Sequence, residues 1–239
     1  MDRIDFRKHI SQRFNAELEE VRTKVLEMGG LVETQLSDAV AAIVGGDSAL
    51  GEAVMTNDYK INALEVEIDE ECSQILVRRQ PAAGDLRFVV TVIKTITDLE
   101  RMGDEAERIG RMAVQLAQRE RPKSQYSEMG HLGDLVQQML HEALDAFART
   151  DVEAALQIRE KDRQIDKEYE SIVRQMITFM MEDPRSIPRT LEILWSARAL
   201  ERIGDRATNI CEYIIYLVRG RDVRHTSWDQ VQTELRRSK

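Results

Sequence analysis

The sequence has little of what pins a small fold or announces an enzyme: two cysteines, four prolines and 5% aromatic residues in 239. Cys72 and Cys211 lie in opposite halves, and neither belongs to a C-x-x-C pair. No zinc knuckle or redox motif is therefore signalled, and free buried thiols in a reducing compartment are the simplest reading. No apolar run approaches the ~20 residues that a bilayer crossing needs. Met1-Asp2-Arg3-Ile4-Asp5 is charged and lacks the apolar core of a signal peptide. A cytoplasmic protein is expected, with any membrane association peripheral. The net charge of −9 and pI near 5.1 argue against a nucleic-acid binder. Arg236, Arg237 and Lys239 in the tail are too few to make a basic stripe. His9, His131 and His141 are scattered, with no acid or nucleophile beside them, and no local Ser/His/Asp or Cys/His motif occurs. Gly45-Gly46 lacks the Lys and Ser/Thr of a phosphate loop. These absences point away from an enzyme.

What is abundant is charge, 32%, beside an aliphatic apolar stock. That mixture suits long amphipathic helices with solvated outer faces. Phe14, Leu18, Val21, Val25, Met28 and Val32 recur at spacings of four and three, and Leu36, Ala39 and Ile43 continue the stripe after one extra step. This is a coiled-coil-like seam with a stutter. Gly45-Gly46 should end that helix and Asp47 cap the next. The second helix is expected to reach about Arg78, and Asp85 to cap a third that runs to about Gln118. The polar stretch from Arg119 to Glu128, with Pro122 and Ser124, reads as the linker. Leu132, Leu135, Met139 and Leu144 mark a fourth helix, Thr150-Asp151 a turn and cap, and a fifth runs to about Glu182. After Pro184 and Pro188 a sixth spans roughly Thr190 to Val218, with Trp195 in its apolar face. Trp228 in the tail is a candidate docking residue.

The pattern repeats in letters. Leu99-Glu100-Arg101-Met102-Gly103-Asp104 matches Leu200-Glu201-Arg202-Ile203-Gly204-Asp205 at five of six positions. Ala106 and Ile109 match Ala207 and Ile210, and Asp58-x-x-Ile61-Asn62 echoes Asp162-x-x-Ile165-Asp166. The expected fold is all-α: two tandem three-helix bundles related by a pseudo-two-fold. Residues 1–121 would form the first repeat, 122–220 the second and 221–239 a tail.

Glu100 and Asp104 stand four apart, as do Glu201 and Asp205, so each pair projects from nearly one face, beside the apolar band. Like charges at this spacing destabilise an exposed helix by roughly 0.2–0.5 kcal/mol, and more when desolvated. Compensation is expected from either of two sources. Arginines could supply it (Arg101, Arg108 and Arg202 nearby, Arg87 farther off), giving a structural ion-pair network. A bound cation could supply it instead. Asp58 with Asn62, and Asp162 with Asp166, share a face of helix two in the same way. Packing helices two and three together would then gather three or four oxygen ligands for magnesium, manganese or ferric iron. Gly103 and Gly204, each about 1 kcal/mol worse than Ala in mid-helix, suggest close packing beside the acids.

At these signatures the chain resembles the PhoU family of phosphate-uptake regulators, through the paired E-x-x-x-D motifs at 99–104 and 200–205 and the turn Arg79-Gln80-Pro81-Ala82-Ala83-Gly84-Asp85-Leu86-Arg87. The likeness runs from about Phe14 to Gly220. It implies two three-helix bundles and repression of the phosphate-starvation response. It also implies a non-catalytic link between a phosphate ABC transporter, through its ATPase subunit, and a membrane sensor histidine kinase. Metal clusters on Glu100, Asp104, Glu201 and Asp205 are implied, with Asp58, Asp162 and Asp166 completing the sites. Asn62 departs from the acid seen at Asp166 and leaves the first site poorer in charge. The alternative is a carboxylate-bridged metal enzyme, an oxidase or phosphohydrolase. A homodimer is expected as the commonest closed assembly.

Overall fold

The computed structural model describes residues 12–119, 123–224 and 226. His9, Pro122, Trp228, Arg236, Arg237 and Lys239 lie outside them. Among the described residues there are seven α-helices, one short 3-10 turn and no strand. Helix α1 is Gln12–Gly45, α2 is Ser48–Asn57, α3 is Tyr59–Arg79 and α4 is Ala83–Ala117. Helix α5 is Lys123–Arg149, α6 is Val152–Glu182 and α7 is Ile187–Arg219, with the 3-10 turn Pro184–Ser186 before α7.

The stripe of α1 is buried throughout, from Phe14 to Ile43. Gly46 takes φ 74° after it, and Asp47 caps α2 by accepting from the Leu50 N–H at 3.0 Å. Thr150 turns the chain at φ 54°, and Asp151 caps α6 through the N–H groups of Glu153 and Ala154. Four expectations need correction. The second helix is interrupted at Asp58, although the backbone there stays in the right-handed helical region. Asp85 is no cap: α4 starts after Ala82, and Asp85 is buried in its first turn. A carboxylate in that place still faces the positive end of the helix. The linker is shorter than its polar letters suggest, because α5 already begins at Lys123. Trp195 is 45% exposed. Ser196, Ala197, Ala199 and Leu200 fill the buried stripe of α7, and the indole falls outside it.

Helices α1 to α4 pack as one bundle and α5 to α7 as another. The two join along α1 with α5 and α4 with α7, and one continuous apolar core runs through both. The α1–α5 seam is reciprocal. A Cβ on Gly29 would stand 2.8 Å from Leu144, and one on Gly133 would stand 2.6 Å from Val40. Each helix therefore offers a hollow to the other's side chain.

The α4–α7 seam is polar and antiparallel. The Arg87 guanidinium donates to the Leu217 carbonyl at 3.3 Å, and the Lys94 ammonium lies over the rings of Tyr213 and Tyr216 at 5.5 and 5.1 Å. Buried Asp98 accepts from Tyr213 at 2.8 Å, Asn209 at 3.3 Å and Arg206 at 3.2 Å. Glu105 pairs with Arg202 at 2.7 Å and Glu192 with Arg119 at 3.0 Å. At the centre of the seam the anions, Asp98 and Glu105, belong to the first bundle and the cations, Arg206 and Arg202, to the second.

Candidate metal centre

In the first bundle the acids meet where α3 starts against the middle of α4. Asp58 is 7% exposed. Its Oδ1 accepts from the Gln35 amide of α1 at 2.9 Å, and its Oδ2 from the Asn62 amide at 2.9 Å. Gln35 also reaches the Gly103 carbonyl at 3.2 Å, which ties α1 to the acidic signature of α4. Gly103 eases this approach, since a Cβ there would stand 3.1 Å from Asp58 Oδ1 and from Ile61, so that those side chains would have to give way slightly.

Ligand oxygens of Asp58, Asp104 and Glu107 lie within 4.8 Å of one another. Glu107 is the member that sequence reasoning missed. It stands three residues beyond Asp104, on the same helical face, and that spacing was the available signal. Glu100 is not in this group, although it feels it. Its carboxyl is raised above the ordinary range by burial first, then by Asp104, Glu65 and Asp58. Asp104 is raised by burial and then by Asp58 and Glu107. Glu65 of α3, also unforeseen, is raised by burial and Asp69.

The second bundle places Asp162, Asp166, Glu201 and Asp205 close enough to oppose one another's ionisation, though not within the same mutual ligand reach among the described residues. Burial, then Asp166 and Asp205, pushes Asp162 up to about 6. Burial and Asp205 push Glu201 up to about 7, against the pull of Arg198. Asp205 is raised by burial and Asp166. Glu201 is 8% exposed; one oxygen takes a hydrogen bond from Arg198, and the other is buried without a partner.

The arginines named from sequence as compensating charges do not pair with the signature acids. Arg202 and Arg108 go to Glu105, and Arg87 goes to the Leu217 carbonyl. Among the described residues Glu100, Asp104, Asp162 and Asp205 make no ion pair, and Glu201 alone has one, with Arg198. The donor sets are all oxygen. The unpartnered Glu201 oxygen belongs to a carboxyl that resists ionisation, and Asn62 Oδ1 is likewise buried without a partner. These residues fit a hard cation such as magnesium, manganese or ferric iron. Such an ion would supply the missing positive charge and hold the carboxyls in their ionised form.

The family model described as PhoU domain matches the chain twice, at residues 25–113 and 129–214. A Pseudomonas putida protein named phosphate-specific transport system accessory protein PhoU homolog is 53% identical over 95% of this chain and 89% of its own length. The Escherichia coli K12 phosphate-specific transport system accessory protein PhoU is 50% identical over 97% of this chain and 95% of its own. The crystal structure of PhoU from Pseudomonas aeruginosa superposes with a TM-score of 0.85 at 52% identity, covering 87% of this chain and all of that one.

Proposed function

Because this chain belongs to the PhoU family, we propose that it is an accessory regulator of phosphate uptake. In this reading it is a non-catalytic adaptor in the cytoplasm that docks on the ATPase subunit of a phosphate ABC transporter and on a sensor histidine kinase. It damps the starvation signal when phosphate is plentiful. The carrying observation is likeness of about one residue in two along nearly the whole chain, to relatives whose names make them accessory proteins of phosphate transport. No described helix is long and apolar enough to cross a membrane, so contact with the membrane would run through those partners. Deleting the gene should leave phosphate-starvation reporters on in phosphate-rich medium. Reporters that still shut off normally would overturn the reading. Affinity capture from membranes in high phosphate should recover the transporter ATPase and the kinase, less so as salt rises and screens the acidic surface.

Metal binding belongs to the same proposal. Asp58, Asp104 and Glu107, with Glu100, would hold a cation in the first bundle, and Asp162, Asp166, Glu201 and Asp205 one in the second. Calorimetry with manganese, magnesium and iron tests this, and no uptake by the intact protein would end it. The assembly proposed is a homodimer, which a monomer mass by light scattering at high concentration would refute.

A further inference from the structure

The chain carries a net charge of −9, yet one side of the α4–α7 seam is positive. Trp195, Arg198 and Arg202 recur along α7 at spacings of three and four, so they share a face. Arg101 and Arg108 stand two turns apart on α4, and Arg119 follows just after its end. Ion pairs bring the two sets together. Arg202 and Arg108 both turn to Glu105, at 2.7 and 3.8 Å, and Arg119 crosses to Glu192 at 3.0 Å, one turn before Trp195. Arg101 is exposed and makes no ion pair among the described residues. The counter-ions do not neutralise this surface. Glu105, Glu192 and Glu201 answer five guanidiniums, and they are 7, 7 and 8% exposed. The side chains of Arg108, Arg119, Arg198 and Arg202 stay 40–50% exposed. Solvent therefore meets the cationic end of each pair, with the half-exposed Trp195 indole among them. Arginine and tryptophan are residues in which binding energy concentrates.

We propose that this row docks an acidic segment of a protein partner, with carboxylates on the exposed guanidiniums and an apolar side chain on the Trp195 ring. The proposal rests on the adaptor reading above and names the surface that docking uses. A guanidinium can hold a carboxylate through two parallel hydrogen bonds, which fixes orientation as well as charge. From Arg101 to the end of α4 the row runs about 24 Å at 1.5 Å per residue, the span of about seven extended residues. The acidic clusters flank it, one toward α3 at Asp58 and Asp104, the other toward α6, where Asp162 lies beside Gly204. A broad anionic surface such as a membrane would press against those acids, whereas a narrow segment lies between them. The acidic remainder of the chain repels such a segment everywhere else, so the row sets where it lands.

Photo-crosslinking from the row itself tests this in the intact chain. Benzoylphenylalanine placed at Trp195 keeps an aromatic side chain there, and the crosslinked segment is sequenced from membranes of cells grown in high phosphate. Crosslinks should fall within a net-acidic protein segment. The paired substitution Arg101→Ala with Arg108→Ala should cut their yield at least about 10-fold. It strands no buried acid, because Glu105 keeps Arg202. Arg101→Ala alone, which breaks no ion pair, should cut the yield roughly 5-fold and keeps the test open if the paired variant folds poorly. Arg149→Ala, an exposed arginine at the end of α5, should leave it unchanged. Crosslinks to a neutral or basic segment, to lipid, or in equal yield from the arginine variants overturn the proposal, and so does their absence. The adaptor reading is decided separately, by reporters in the deletion strain. Normal shut-off there removes that reading and this surface with it, whereas failed shut-off beside a failed crosslink removes this surface alone.

Discussion

Around Asp58 the charge of a buried carboxylate is answered by two neutral amides, Gln35 and Asn62. Around Asp162, its counterpart, the same positions carry different chemistry. In the register that sets Val32 on Val136 and Ile61 on Ile165, Met139 stands where Gln35 stands, and Asp166 where Asn62 stands. A thioether replaces one donor and a second acid replaces the other. The carboxyls respond accordingly, with Asp162 pushed to about 6 and Glu201 to about 7. The helices differ too: α6 runs unbroken past Asp162, whereas α2 ends at Asn57 and α3 begins at Tyr59, on either side of Asp58. One motif thus supports two electrostatic regimes. In the first bundle amide donors let acids crowd within ligand reach. In the second, burial and mutual repulsion outweigh the help that Thr208 and Arg159 give Asp162, that Arg198 gives Glu201 and that Arg198, Arg206 and Arg202 give Asp205.

The largest effect that would break this contrast lies at Glu201. Its carboxyl binds a proton more tightly folded than unfolded. Between the ordinary carboxylate range and about pH 7, the native state therefore holds extra protons, and stability falls as pH rises through that window. The rise from 4.5 to about 7 corresponds to at most about 3 kcal/mol. Glu201→Gln should stabilise the metal-free protein at pH 8 by about 1–3 kcal/mol and flatten the pH dependence of denaturant melts between pH 5 and 8. A variant no more stable than the wild type at pH 8 would show that the second cluster is already compensated. Saturating magnesium should erase the difference, because only the wild type gains the ion.

A smaller effect should come from importing the second bundle's chemistry into the first. Gln35→Met removes a buried donor from Asp58 and from the Gly103 carbonyl. The expected loss is about 2 kcal/mol, read from denaturant melts. A loss below about 0.5 kcal/mol would mean that neither hydrogen bond of the amide supports the fold. The smallest expected change in stability is from Asn62→Asp, which gives the first cluster the acid that the second already has. Metal-free stability should drop by about 0.5 kcal/mol, while magnesium affinity at the first cluster, read by methyl NMR of Ile61, rises by roughly 10-fold, since one more anionic ligand strengthens a hard-cation site. Unchanged affinity would place residue 62 outside the cation's reach.

Much of this was legible in the letters because helical period is local. The α1 stripe, the caps Asp47 and Asp151, and the repeated E-x-x-x-D pairs all depend on residues within two turns of one another. What escaped depends on partners far along the chain. Gln35 lies on α1, and nothing near it in sequence announces that its amide will meet Asp58. Glu105 was passed over as the neighbour of a signature acid, yet it anchors the second bundle through Arg202. The interruption at Asp58 has no proline or glycine to mark it. Trp195 was misjudged because α7 buries so wide an arc that period alone does not find its edge. Asp85 misled for a local reason, since a good capping residue two places inside a helix looks the same as one at its start.

The polarity of the α4–α7 seam decides which halves can join. Two first bundles brought together along α4 would set Asp98 and Glu105 against their own kind, and two second bundles would set Arg202 against Arg206. Only unlike halves satisfy the buried charges. The shapes along α1 and α5 carry no such instruction, because each helix offers the same hollow and knob. The apolar seam would accept a twin. The charged seam refuses it, and so the duplicated chain recognises its other half rather than a copy of the same one.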